Sequence, residues 1–282
     1  MPIYRGNVGN LLQHWVLCEI LQDLQHHAEH LTFIDAYSMA PFATERPRID
    51  ETADLFDYVR EHLADGESPY EKAWHELQLA HSRSIGYPNS ANFLVAAWLK
   101  QYSLLLCETD TATVHELREW TDGLTDAKRC VSKEVFAGDW RKRFSESLPA
   151  SGDALLFSFD PYMVSRRRAA NNPGAANVYP EDLDCLPGVV DALPDPLLMQ
   201  ISTYSANDGN SQEAVIDVVR SSLAGSGLEI VAVVRPLKKD LRDRNGQMMS
   251  LVLARNAPWA KSLAFLEGRF QRWQRGLAQR MS

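Results

Sequence analysis

The chain has no CxxC pair: Cys18, Cys107, Cys130 and Cys185 stand far apart, without a nearby Cys/His ligand set. That excludes a disulfide framework and a local zinc motif, implies no metal, and fits reduced thiols in the cytoplasm. There is no run of about 18 apolar residues. The N-terminus has no basic segment followed by an apolar one, so neither a membrane partner nor a secretory signal is expected. Positive charge is scarce too: 29 Lys and Arg face 37 Asp and Glu, a formal net charge of −8. A protein that coats nucleic acid through bulk electrostatics is thereby excluded, and any such partner must be met by a local basic patch. Internal repeats and low-complexity tracts are absent. Apolar residues make up 45% of the 282 residues, enough to bury a large core in one α/β domain or in a domain with an insertion.

Leu11, Leu12, Trp15, Val16, Cys18, Ile20, Leu21 and Leu24 recur at helical spacing and predict a long first helix, capped by Asn7 or Asn10. LTFIDA (31–36) is then a short apolar run ending in an acid, the pattern of a buried parallel strand. The shape returns in SLLLCE (103–108), KEVFAGD (133–139), ALLFSFD (154–160), LLMQISTY (197–204), LEIVAVVRP (228–236) and MMSLVLARN (248–256). Strand and helix alternating in this way predict an open, mostly parallel α/β sheet with helices on both faces. Ligands of such sheets sit beyond the carboxyl ends of the strands, where strand order reverses. Asp35, Glu108, Asp139 and Asp160 fall at those ends. One such acid often only caps the next helix; four point to a site. Residues 44–100 read mainly as helices (ETADLFDYVREHLA, YEKAWHELQLAHS and, after a YPNS turn, SANFLVAAWLKQY) and form a helical insertion, with 1–43 and 101–282 as the main domain. Residues 165–180, SRRRAANNPGAANVYP, read as a long loop.

A Rossmann-like nucleotide site needs an acid after the second strand for ribose hydroxyls, and Glu108 occupies that place. Its phosphate-cradling form also needs glycines in the first strand-to-helix turn. Here that turn, DAYSMAPFA, has none. The expected ligand therefore has no pyrophosphate, as in S-adenosylmethionine, an adenosine bearing a positively charged sulfonium.

The order YRGNVGNLLQH, LTFIDAY, GYPNS, LLLCETD, AGDWRKRF, FSFDPY and GQMMSLVLARNAPW resembles, over nearly the whole chain, the bacterial 23S rRNA adenine-N6 methyltransferases of the RlmJ type. The resemblance implies a Rossmann-like class I methyltransferase sheet with a helical insertion after the first strand. It also implies S-adenosylmethionine as cofactor, RNA in preference to DNA as partner, and a place in rRNA processing. By resemblance, His14, Tyr37, Ser90, Glu108, Asp139, Trp140 and Asp160 bind the cofactor, and Tyr4 positions the target base. Asp160 and Pro161 open the motif that is DPPY in the family, and Tyr162 completes the catalytic set. An exocyclic adenine amine is a weak nucleophile; the acid and a proline carbonyl accept its protons while an aromatic ring stacks on the base. Here the motif reads DPYM. Either one proline is lost and Tyr162 stacks, or Tyr162 replaces the second proline and Met163 the aromatic.

Arg166, Arg167 and Arg168 follow that loop and suit phosphate contact, though such a run is often a solvated turn; Lys238, Lys239, Arg242 and Arg244 extend the patch or balance Asp240 and Asp243. His26, His27 and His30 suit the first helix's dipole better than a metal. Trp15, Trp98 and Trp259 suit packing. Because Ser38 to Pro41 stand where the family has glycines, a second reading keeps the fold as a catalytically impaired module that binds nucleic acid or protein. A third, which the acidic net charge favours, has the fold methylate a small molecule or a protein.

Overall fold

The computed structural model of the protein describes residues 8–43, 67–80, 87–126, 128–146, 153–161, 163–164, 177–178, 183–184, 186–204, 211–237 and 248–281. It opens with α1 (Val8–Leu24), β1 (His30–Asp35) and β2 (Phe42–Ala43). Next come α2 (Pro69–Ala80), β3 (Tyr87–Pro88) and α3 (Ser90–Ala97). Then follow β4 (Gln101–Glu108), α4 (Thr111–Asp122), β5 (Cys130–Ala137), α5 (Trp140–Glu146) and β6 (Ala154–Phe159). Two short strands, β7 (Met163–Val164) and β8 (Asn177–Val178), precede α6 (Leu186–Ala192) and β9 (Leu197–Tyr204). The chain closes with α7 (Gln212–Ser222), β10 (Glu229–Val234), β11 (Met248–Arg255), a 3-10 helix (Pro258–Phe265) and α8 (Leu266–Met281).

The long strands lie in the order β5-β4-β1-β6-β9-β11-β10. β5, β4, β1, β6 and β9 pair in parallel, while β11 runs antiparallel to both its neighbours. From β1 the chain first builds outward through β4 and β5, then returns to place β6 on the other side of β1. The reversal falls between β1 and β6, where an open α/β sheet forms its crevice.

Alternation along the strands divides the core in two. Phe33, Leu104, Leu106, Leu156, Leu198 and Val252 face α1, α2, α3 and α8, while Ile34, Leu105, Phe157, Met199 and Leu251 face α5, α6 and α7. Both faces of the central strands are covered, which is why those strands read as apolar runs, while the edge strand β5 is largely exposed.

From Asn10 to Leu21 α1 is buried all round, against the sheet and against α2, α3 and α8. Its polar residues Asn10, Gln13, His14 and Glu19 are buried as well, and each needs a partner. Asn10 is the third residue of this helix, not its cap; its side chain donates to Gln13 Oε1 at 3.3 Å. Asn7 lies outside the described residues.

Within 44–100, two of the three expected helices are present as α2 and α3, and β3 pairs antiparallel with β2, which directly precedes this segment. The third, ETADLFDYVREHLA, lies outside the described residues. Trp15 and Trp98 are core residues, and His27 stacks on Trp259 with centroids 4.7 Å apart. Among the described residues no helix is long and apolar enough to cross a membrane, and no group of three or more His, Cys, Asp or Glu is placed to hold a metal ion.

Candidate functional site

Three carboxylates gather at the carboxyl edge of the central strands. Asp35 ends β1, and the parallel register sets it opposite Ser158 of β6, so Asp160, two residues on, emerges beside it. Asp35 is 1% exposed; its carboxylate accepts from Tyr37 N at 3.3 Å and from the Ser38 side chain. Burial, with Glu108 repelling it, pushes the Asp35 carboxyl up to about 7. Asp160 has no hydrogen-bond partner among the described residues; burial and the neighbouring charge of Asp35 push its carboxyl up to about 8. Glu108 ends β4 and folds back over the turn into α4, its Oε1 accepting from the amides of Thr109 and Asp110 at 2.6 and 2.8 Å. Its Oε2 takes no hydrogen bond among the described residues, and burial raises its pKa. Among the described residues no cation neutralises this edge, so it favours a positively charged ligand.

The glycine-free loop after β1 turns its side chains into the protein. Ser38 is fully buried, its amide donating to Cys107 O at 2.9 Å and its hydroxyl to Asp35 O at 3.3 Å. Met39 Sδ lies 3.8 Å from Asn10 Nδ2. Tyr37 Oη accepts from Trp140 Nε1 at 3.1 Å, and its ring meets Phe159 edge-on. What glycine would supply as backbone freedom is replaced by a clasp from the start of α3. Asn89 Nδ2 donates to Met39 O at 2.9 Å, Asn89 N to Pro41 O at 3.1 Å, and Asn92 Nδ2 to Pro41 O at 2.7 Å. Asn92 is 2% exposed, so Asn92→Ala removes hydrogen bonds with no water to replace them. It is expected to cost about 2 kcal/mol in urea unfolding; a loss below about 0.5 kcal/mol would mean that the clasp does not hold the loop.

The structure brings His14 and Ser90 together, although 76 residues separate them: His14 Nε2 and Ser90 Oγ are 3.1 Å apart, and Gln13 Nε2 donates to the same hydroxyl at 3.2 Å. On its other side His14 Nδ1 meets Tyr87 Oη at 3.1 Å, and the ring stacks on Phe93. Burial pulls the His14 pKa down to about 3, so the ring is neutral. Both residues thus form a buried wall behind the loop. Asp139 caps α5: its Oδ1 accepts from Arg141 N at 2.8 Å and its Oδ2 pairs with Arg141 Nη1 at 2.5 Å. Trp140 is 1% exposed and packs among Phe144, Phe157 and Phe159. Pro161 is buried beside Asp160. Tyr4, Tyr162, Arg166, Arg167, Arg168 and the 238–244 basic stretch lie outside the described residues.

Two features of the site escape a reading of the sequence. Asp35 stands out only as a strand-end acid until strand order makes it Asp160's neighbour. Asn89 had a local signal, since an Asn directly before an apolar helix is a cap, and its side chain does accept from Asn92 N. Its second role, on the loop 50 residues away, had none.

No protein-family model matches the chain, and no curated protein matches it. Solved structures do. Protein LPL1258 from Legionella pneumophila, described as DUF519, aligns with a TM-score of 0.61 at 15% identity, covering 90% of this chain and 87% of that one. P. horikoshii TYW2, solved in complex with MeSAdo, aligns at 0.43 with 10% identity, covering 89% and 64%. The Methanococcus jannaschii fibrillarin pre-rRNA processing protein aligns at 0.37 with 9% identity, covering 81% and 67%. The strand order, together with the first of these likenesses, shows the fold: a Rossmann-like class I methyltransferase sheet, mostly parallel, with helices on both faces.

Proposed function

We propose that the chain is an S-adenosylmethionine-dependent N6-adenine methyltransferase that acts on RNA. The observation that carries this reading is the carboxylate edge at the strand reversal, without a neutralising cation among the described residues: Asp35 and Asp160 side by side, with Glu108 one strand away. The donor set fits the cofactor. Glu108 Oε2, which takes no hydrogen bond among the described residues, can accept from ribose hydroxyls, and the paired aspartates suit a cationic ligand. The absence of a glycine-built phosphate cradle suits a nucleoside without phosphate. When bound, the cofactor supplies an electrophilic methyl group on a sulfonium.

The protein's own residues would then do the following. Asp160, once ionised, accepts a hydrogen bond from the adenine amine, and Pro161 O accepts the second proton, which orients the nitrogen lone pair. Tyr162 stacks on the base; Tyr4 and Arg166, Arg167 and Arg168 hold the base and the flanking phosphates. Asp139 and Trp140 border the adenine of the cofactor, Tyr37 closes the loop side, and His14 with Ser90 stiffens the wall behind it. The experiment is transfer of labelled methyl from S-adenosylmethionine to bulk RNA and to DNA, with wild type and Asp160→Ala. Label in RNA that depends on Asp160 supports the reading. Label that persists undiminished in Asp160→Ala removes Asp160 from its role, and label in DNA alone removes RNA as the substrate.

A further inference from the structure

In a chain with an excess of acids, α8 carries four arginines, Arg269, Arg272, Arg275 and Arg280, against a single acid, Glu267. Its apolar side is used inside the protein. Phe270 and Leu277 are buried, and the rings of Phe270 and Trp273 meet Trp15 of α1, with Tyr70 of α2 against Trp273. A basic helix whose apolar face is so occupied has nothing to insert into a lipid surface. Arg269 is used as well: it pairs with the buried Glu19 of α1.

The side chain of Arg280 lies outside the described residues, so Arg272 and Arg275 remain. Both are exposed, and neither has an ion pair among the described residues. They stand three residues apart, a rise of about 4.5 Å along the helix. Arg269 feels the charge of Arg272 in addition to its own burial, so like charges are crowded on this side of the helix. Like charge of this kind disfavours a helix slightly, so the fold itself gains nothing from it.

The strip also leads to the site. α8 lies along α1, with Arg269 beside Glu19 and Phe270 and Trp273 beside Trp15. Its later residues therefore approach the start of α1, where Asn10 touches the loop after β1. Gln274 Oε1 accepts from Leu237 N at 2.8 Å, just beyond the carboxyl end of β10, which puts this part of α8 at the same edge of the sheet as the carboxylates.

We propose that the Arg272–Arg275 face of α8 is a docking strip for the phosphodiester backbone of the RNA substrate; this rests on RNA being the substrate. Guanidinium groups fork onto phosphate oxygens, and such contacts fix position without reading sequence. They also supply the local positive surface that an acidic protein needs to hold a polyanion.

The test is fluorescence anisotropy of a fluorescein-labelled single-stranded RNA of mixed sequence, titrated over a range of salt with wild type, Arg272→Ala/Arg275→Ala and Arg272→Lys/Arg275→Lys. The alanine pair is expected to bind about tenfold more weakly at low salt and to lower the slope of log affinity against log salt by about 1.4, two phosphates' worth on a single strand. The lysine pair keeps most of that slope. Both positions are exposed, so the thermal midpoint stays at the wild-type value, and a glutamine pair replaces the alanine pair if it does not. Unchanged affinity and slope in the alanine pair would overturn the proposal, as would wild type that ignores RNA or prefers anionic vesicles. RNA binding that depends on these arginines in a protein that transfers no methyl group leaves the strip standing and removes the methyltransferase reading, so the two fail separately.

Discussion

Asp160→Asn is expected to stabilise the protein at pH 8 by about 2 kcal/mol while cutting methyl transfer roughly 100-fold. The two effects have one cause. The Asp160 carboxyl is pushed up to about 8, chiefly by burial and then by the charge of Asp35. A carboxyl whose folded pKa lies above its unfolded value keeps a proton that the unfolded chain has released. Its contribution to stability is complete below about pH 4 and is lost as pH rises through 7 to 8. Wild type therefore weakens between pH 5 and pH 8, and the neutral asparagine does not. The figure is roughly a third of what 1.36 kcal/mol per pKa unit gives for an enclosed carboxyl, because Asp160 retains some contact with water. The strained charge is what the proposed reaction uses: an ionised acceptor held ready for an amine proton, which asparagine replaces with a neutral and weaker one. Urea unfolding at both pH values, beside labelled methyl transfer, tests it. An asparagine variant no more stable than wild type at pH 8 would mean that the carboxyl is freely solvated.

Arg269→Ala is expected to cost about 3 kcal/mol in urea unfolding. Glu19 is 3% exposed in the middle of α1, and Arg269 is its ion-pair partner among the described residues. Truncating the arginine leaves a carboxylate buried between helices with no counter-charge. Glu19→Leu removes the charge together with the need for a partner and is expected to cost less than about 1 kcal/mol. Equal losses in the two variants would show that α8 is held by its apolar face alone.

The strands were legible because each one is an apolar run that an acid or a turn brings to an end, and all seven long strands lie where those runs predict them. Their order was not legible from the runs themselves, since nothing in ALLFSFD says that it returns to the far side of LTFID. That order decides the chemistry: it turns Asp35 from one strand-end acid among four into the neighbour that raises Asp160. Asp139 shows the opposite outcome, a strand-end acid already engaged as a helix cap and with Arg141. A sequence lists the candidate carboxylates but not which of them stay unpartnered. The histidine of α1 was visible at position 14. Its burial against Ser90, Tyr87 and Phe93 depends on α3 and β3 folding onto α1, contacts that local periodicity does not encode.

The central claim is that the edge formed by Asp35, Asp160 and Glu108 binds the sulfonium cofactor, and calorimetric titration with S-adenosylmethionine tests it most directly. A cation beside Asp35 and Asp160 favours their ionised forms, so binding at neutral pH must expel a proton that the free pair holds. The account predicts saturable binding whose heat differs between phosphate and Tris buffers by the ionisation heat of the released proton, with that difference reduced in Asp160→Asn. No binding at millimolar ligand, or binding with no proton released, would contradict it.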